Sequence, residues 1–192
     1  WADDVPAILL TWFGGQEFGH ALADVLFGDA EPGGRLPTTW PASTKSLPST
    51  QPAGGVLRYD EGLHVGYRSP DRDALFPFGH GLGYTTWEYV AMDVDGEDVR
   101  VRLRNTGDRA GREVVQLYAS REDSAVERPP LWLAGFAVAE AQSGEEATVQ
   151  ISVPSRRVGH WDGERFAVEP GAFRLTAGRS SDDPRLSASF TA

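Results

Sequence analysis

The sequence predicts an α/β segment followed by an all-β domain. Two observations carry this. The opening forty residues hold one nearly continuous apolar run and one stretch with helical periodicity. From about residue 84 onward, short stretches with every second residue apolar recur between turn signals. At 192 residues the chain is long enough for one or two domains with cores of their own.

The elements follow in order. Ala7-Ile8-Leu9-Leu10-Thr11-Trp12-Phe13 is a short apolar run that suits a parallel strand buried on both faces. Gly14-Gly15 ends it. Phe18, Ala21, Leu22, Val25 and Leu26 then recur at i, i+3, i+4, i+7 and i+8, which predicts an amphipathic helix with one buried stripe. Glu17 in its first turn suits the positive end of the helix dipole. Gly28 fits the position just past the helix, and Pro32 prevents continuation. A second short strand is expected over 35–40, so this part reads as the closing βαβ-like unit of a sheet.

Residues 41–83 are punctuated by Pro41, Pro48, Pro52, Gly54 and Gly55 and show little periodicity. A connection this long is uncommon inside a compact domain; it is a functional loop or a linker laid over a surface. Beyond it, Val99-Arg100-Val101-Arg102-Leu103-Arg104 alternates strictly, and Asn105-Thr106-Gly107-Asp108 is a turn. Further strands are expected over 113–118, 131–139, 147–153, 173–177 and 186–190. About seven short strands with regular turns indicate a β-sandwich of the immunoglobulin or fibronectin-III kind. The absence of Cys favours the fibronectin-III side.

Composition narrows the function classes. With 40% apolar residues the chain is globular rather than disordered. Without Cys there is no disulfide framework and no thiolate metal site. A net charge of -10 argues against nucleic acid or an anionic membrane as partner. No apolar run reaches the roughly 18 residues of a membrane span. The chain opens at Trp1 with no initiator Met, which reads as a processed or truncated product. Any export signal would lie upstream, so the compartment is open between cytoplasm and secretion.

Several segments form an ordered series. They are Gly14-Gly15-Gln16-Glu17, Ala23-Asp24-Val25-Leu26-Phe27-Gly28-Asp29 and Gly34-Arg35-Leu36-Pro37. Then come Tyr59-Asp60-Glu61-Gly62-Leu63-His64-Val65-Gly66-Tyr67-Arg68 and Phe76-Pro77-Phe78-Gly79-His80-Gly81-Leu82. Asn105-Thr106-Gly107, Glu113-Val114-Val115-Gln116-Leu117-Tyr118 and Leu133-Ala134-Gly135-Phe136 complete it. In this order and spacing they resemble the carboxyl-terminal third of family-3 glycoside hydrolases, the β-glucosidase and β-xylosidase group. The resemblance covers essentially the whole chain. Phe18, Gly33 and Gly83 depart from the family pattern, and Phe18 implies a different local packing.

The resemblance implies a barrel that supplies an Asp nucleophile, an (α/β)6 sandwich that supplies a Glu acid/base, and a fibronectin-III-like domain. Residues 1–70 would then be the end of the (α/β)6 sandwich with its connecting loop. Residues 71–192 would be the fibronectin-III-like domain with its lead-in. Both catalytic carboxylates would lie upstream of Trp1, so no catalytic residue is assigned in this chain.

The residues themselves agree. Retaining glycoside hydrolysis needs two carboxyl groups about 5–5.5 Å apart. Glu17, Asp24, Asp60 and Glu61 are the local candidates. Asp60 and Glu61 are adjacent and would point to opposite faces of an extended chain. Glu17 reads as a helix-dipole partner. Asp24 lies on the polar side of the helix or pairs with a neighbour such as Arg35. Glu61 reads as the partner of Arg58 or Arg68, or as part of a loop folded toward a substrate entrance. Tyr59 and Glu61 are therefore the entrance candidates.

His20, His64, His80 and His160 are scattered without metal-ligand spacing; no metal and no cofactor are called for. His20 reads as a satisfied helix residue and His80 as the holder of a tight turn. Trp12, Trp40, Trp87, Trp132 and Trp161 read as core, with Trp161 the one expected to be partly exposed.

The expected function is that of a part of a retaining β-glycosidase of β-glucosidase type. Its partners would be the amino-terminal barrel and sandwich, in the same or a companion chain, a β-glycoside substrate, and a second copy in a homodimer. The competing expectation is a non-catalytic sandwich that binds carbohydrate or protein.

Overall fold

The computed structural model describes residues 2–44, 47–71 and 73–192. It divides into two compact units, one ending at Pro32 and one running Gly33–Ala192.

The first unit contains helix α1, Phe18–Phe27. Its C-cap Gly28 adopts φ 85°, the left-handed conformation expected there, and its N–H donates to the Val25 carbonyl. Glu17 occupies the N-cap, and its carboxylate accepts from His20 Nδ1 at 2.9 Å, one turn on. Phe18 lies over Gly14 so closely that a Cβ at Gly14 would collide with the ring.

Two expectations fail in this unit. Residues 7–13 form no strand, and the helix stripe is not buried. Ile8, Leu9, Trp12, Phe13 and Leu26 are all exposed, Phe13 fully so. The reason is physical: a parallel strand exists only against a neighbour, and no strand is present among the described residues of this unit.

The second unit begins with β1, Trp40–Pro41, and β2, Ala74–Phe76, which pair antiparallel. The strand expected over 35–40 is thus reduced to its last residue. Pro37 has no N–H to donate. Leu36 instead runs beside the 77–80 turn, donating to the His80 carbonyl and accepting from Gly79 N–H.

The sandwich follows. Strands β3 (Trp87–Asp95), β4 (Asp98–Asn105) and β7 (Glu146–Ser152) make a three-stranded sheet in the order β3-β4-β7. Strands β5 (Gly111–Ser120), β6 (Trp132–Ala141), β10 (Ala172–Ser180) and β11 (Asp183–Thr191) make a four-stranded sheet in the order β11-β10-β5-β6. A small hairpin, β8 (His160–Trp161) with β9 (Phe166–Ala167), lies between β7 and β10 in the chain.

Alternation in β4 works as the sequence predicts. Val99, Val101 and Leu103 are fully buried, while Arg100, Arg102 and Arg104 are exposed. Val99 faces Val94 and Ile151 on its two neighbours, and Val101 faces Met92 and Val149. Leu117, Leu175 and Phe173 fill the core from the other sheet. Trp132 meets Phe173 edge-on at 6.3 Å. Asn105 is fully buried and fixes the β4–β5 turn. Its Oδ1 accepts from Thr85 Oγ1 and Gly107 N–H, and its Nδ2 donates to the carbonyls of Arg109 and Ala141.

Candidate functional site

Strand β5, one of the two inner strands of the four-stranded sheet, carries two buried polar residues, Glu113 and Gln116. A buried polar group needs partners. Here the partners come from the two ends of the long loop.

Glu113 is 1% exposed and lies between two guanidinium groups. Arg35 Nη2 donates to its Oε1 at 2.9 Å. Arg179 Nε lies 3.2 Å from its Oε2, near enough for an ion pair but misaligned for a hydrogen bond, so neither of those two atoms has a hydrogen-bond partner. Arg35 also donates through Nη1 to the Gly81 carbonyl. Burial pushes the Glu113 carboxyl above the usual range, and Arg35 and Arg179 pull against that shift. Burial also raises the Tyr89 phenol, with the Glu113 carboxyl reinforcing it. His80 is held low by burial and by the two arginines, so its ring is neutral at pH 7.

Gln116 makes the second attachment. Its Nε2 donates to the carbonyls of Gly79, at 2.9 Å, and Arg179, at 2.5 Å, while Tyr118 Oη donates to its Oε1 at 2.6 Å. Gly79 adopts φ 82° and approaches so closely that any side chain there would meet the Gln116 amide. Tyr67 stacks on Phe78 at 4.2 Å and meets Tyr118 edge-on. The Tyr67 hydroxyl accepts from Leu133 N–H at 3.1 Å. Farther along the loop, His64 Nε2 lies 3.6 Å from Glu127 Oε1.

The loop therefore leaves and rejoins the sandwich at one place. Its base is closed by the Leu36–His80 pairing, by the β1–β2 pair and by Ala42 N–H donating to the Asp73 carbonyl at 2.9 Å. Along that base Phe76 meets Trp40 edge-on and stacks on His80.

The candidate residues lie as follows. Tyr59 is 81% exposed on the loop. Glu61 is half-buried, and its Oε2 is enclosed without a hydrogen-bond partner. The expected ion pairs of Glu61 with Arg58 or Arg68 do not form; Arg68 lies over the Tyr67 ring at 5.7 Å instead. Asp60 is exposed. Asp24 is exposed on α1, and Arg35, its suggested partner, is held by Glu113 and the Gly81 carbonyl. His20 is paired with Glu17, and His80 closes its turn through N–H to the Pro77 carbonyl at 3.0 Å.

Trp87 and Trp132 are core, while Trp161 is 59% exposed at the hairpin, packed edge-on against Phe166. Trp12 is also exposed, against expectation, because residues 7–13 have no strand neighbour. Among the described residues no three His, Asp or Glu side chains converge as a metal-binding group. The sequence reading proposes none of Glu113, Gln116 and Arg179 as site residues, and names Arg35 only as a partner for Asp24. The available signal was Glu113 and Gln116 interrupting the otherwise apolar run to Tyr118 in a strand that the sandwich must bury.

Residues 1–84 match the model of the glycosyl hydrolase family 3 C-terminal domain, and residues 113–181 match a fibronectin type III-like domain. The chain is 40% identical to a probable beta-glucosidase H from Aspergillus clavatus, covering 100% of this chain and 25% of that protein. It is 42% identical to a beta-glucosidase from Rhizobium radiobacter, covering 99% of this chain and 26% of that protein. Its fold superposes on beta-glucosidase 3B from Thermotoga neapolitana with TM-score 0.89 and 38% identity, covering 100% of this chain and 29% of that one. The chain thus spans about a quarter of the length of the curated relatives it matches.

Proposed function

This chain is the carboxyl-terminal part of a family-3 glycoside hydrolase, and on that premise we propose that it completes a retaining β-glucosidase-type enzyme that hydrolyses terminal β-linked sugars. The Asp nucleophile and Glu acid/base are supplied by the amino-terminal barrel and sandwich portion, in the same or a companion chain. The observation that carries this reading is the full-length match of this chain to one segment of beta-glucosidases.

The side chains support the division of labour. A retaining enzyme needs one carboxylate free to attack and one carboxylic acid poised to protonate, close together. Three of its carboxylates are committed to other partners: Glu17 is bound to His20, Glu113 to Arg35 and Arg179, and Glu169 to Arg121 and Arg128. What this chain contributes is shape. Residues 1–70 belong to the (α/β)6 sandwich and its connecting loop, and residues 71–192 to the fibronectin-III-like domain. The loop presents Tyr59 and Glu61 at the sugar entrance. An exposed phenol ring offers a stacking face to a pyranose, and the half-buried Glu61 carboxyl follows two residues on along the same loop.

The test is an aryl β-glucoside assay of this chain alone and of the same chain joined to its amino-terminal portion. The chain alone is expected to give no turnover and the joined protein to be active. In the joined protein, Tyr59→Ala is expected to raise KM with little change in kcat. Turnover by this chain alone, lost on substitution of Glu17 or Glu61, would place the catalytic carboxylates here and overturn the reading.

A further inference from the structure

We propose that Arg35 and Glu113 are positioning residues: their ion pair is the clasp that holds the Tyr59–Glu61 loop in place, separately from the stability of the sandwich. The inference rests on the entrance reading above only for its kinetic consequence.

The elements described between residues 42 and 73 are short, such as the 3-10 turn Gly66–Arg68 and the isolated bridge between Ala53 and Val56. Ordering so long an excursion is entropically costly, so its placement depends on whatever fixes its ends. Its base ladder is short: β1 is two residues long and β2 three. A ladder that small does not hold itself in water. It must be held by the sheet beneath.

Four attachments reach that sheet. One lies within the loop, where the Tyr67 hydroxyl accepts from Leu133 N–H on β6. Gln116 grips the Gly79 carbonyl, and Ser181 N–H donates to the Phe78 carbonyl at 3.0 Å. Both hold the returning side of the loop, at the 76–81 turn. Among the described contacts that hold the departing side to the sheet, the ion pair from Arg35 to Glu113 is the one that is charged and buried, with side chains 11% and 1% exposed. Arg35 also donates to the Gly81 carbonyl, so one guanidinium binds departing strand, returning turn and sheet together. Charge-assisted hydrogen bonds of this kind are about twice as strong as neutral ones.

This geometry separates loop placement from folding. Glu113 retains Arg179, which comes from the sandwich itself, when Arg35 is removed. Breaking the Arg35 contact therefore releases the loop without leaving the buried carboxylate alone.

The variant is Arg35→Gln, read by amide hydrogen exchange in this chain and by kinetics in the joined enzyme. The amides of Leu36, Gly79 and Ala42 report the loop base, and those of β4 and β10 report the core. Loop-base exchange is expected to accelerate about tenfold or more, the effect of losing one charge-assisted bond on a local opening equilibrium. Core exchange is expected to stay at the level of the parent. Unchanged loop-base exchange, or acceleration of core and loop together, overturns the clasp.

Arg35→Lys keeps the charge and one donor. It is expected to restore part of the loop-base protection; a failure to exceed the Gln variant also counts against the ion pair. In the joined enzyme, Arg35→Gln is expected to raise KM several-fold with kcat held. If exchange accelerates but KM does not move, the clasp stands and the entrance reading of the loop falls.

Discussion

Glu113 and Glu169 each sit between two arginines, yet their carboxyls are displaced in opposite directions. Glu113 lies between Arg35 and Arg179 and is pushed up by burial. Glu169 lies between Arg121 and Arg128 and is pulled down to about 2. The number of arginines does not explain the difference; the hydrogen bonds do. Glu169 accepts from Ala125 N–H and Ser124 Oγ at 2.7 Å each, and from Arg128. Those two contacts lead the shift, because they favour the charged form directly. Glu113 is sealed in the sheet, and one of its oxygens has no hydrogen-bonded donor. Desolvation then outweighs its two cations.

The two sites do different work as a result. Glu169 knots the 121–131 loop to the chain before β10, and its arginines stack on aromatic faces. Arg121 lies 4.8 Å over Phe173, and Arg128 lies 5.5 Å over Trp132. This is a satisfied, part-buried network, its side chains 6–13% exposed. Glu113 is a buried, imperfectly paired carboxylate that joins segments distant in sequence.

The sharpest way to break the comparison is to delete each carboxylate. Glu113→Ala leaves Arg35 and Arg179 facing one another without an anion. It is expected to cost about 3–5 kcal/mol, the range for removing one partner from a buried pair. For a domain of this size that lowers Tm by about 10 °C. Glu113→Gln is expected to cost clearly less. It keeps an acceptor for Arg35 and resembles the protonated form that burial favours. Equal losses for Ala and Gln in thermal unfolding would mean that the negative charge itself holds the site together.

The second effect is smaller and depends on pH. Glu169 has a folded pKa of about 2 against an ordinary value of 4.5. A depressed carboxyl contributes stability that is complete above its unfolded pKa and is lost as pH falls through its folded one. The stability gap between the parent and Glu169→Gln should be constant from neutral pH down to about 5. It should shrink between about 4.5 and 2, and vanish below that. A gap that persists at pH 2, measured by denaturant unfolding, would show that the carboxylate's charge is not what stabilises the knot.

These differences also explain how much was legible in the sequence. The alternation of Val99, Val101 and Leu103 gave β4 its face because a half-buried strand leaves a period of two. Strand β3 was not singled out, and its register shows why. A bulge between Tyr89 and Ala91 inserts a residue, so the inward positions change from Trp87 and Tyr89 to Met92 and Val94. The apolar run at 7–13 reads as a buried strand, but among the described residues of its unit it has no strand to pair with and forms none. At the candidate site, the sequence offers Tyr59 and Glu61 as entrance candidates because they lie in a long loop. The clasp was not, because Arg35, Glu113 and Arg179 are far apart in sequence and meet only when the sheet forms.

A third glutamate completes the comparison and has the smallest expected effect. Glu146 on β7 also faces two arginines: Arg104 at 2.6 Å and Arg102 at 3.8 Å. These side chains are about half exposed on the outer face of the three-stranded sheet. Water screens the attraction, and two long side chains must be ordered to make it. Glu146→Gln is therefore expected to shift Tm by less than about 3 °C in low salt. The shift should disappear in about 1 M salt, where the screening length is near 3 Å. The Glu113 variants should keep their losses under the same conditions, since a sealed pair is screened far less. If the Glu146 effect survives high salt, this pair is held by packing of the side-chain stems, and exposure alone does not separate the three sites.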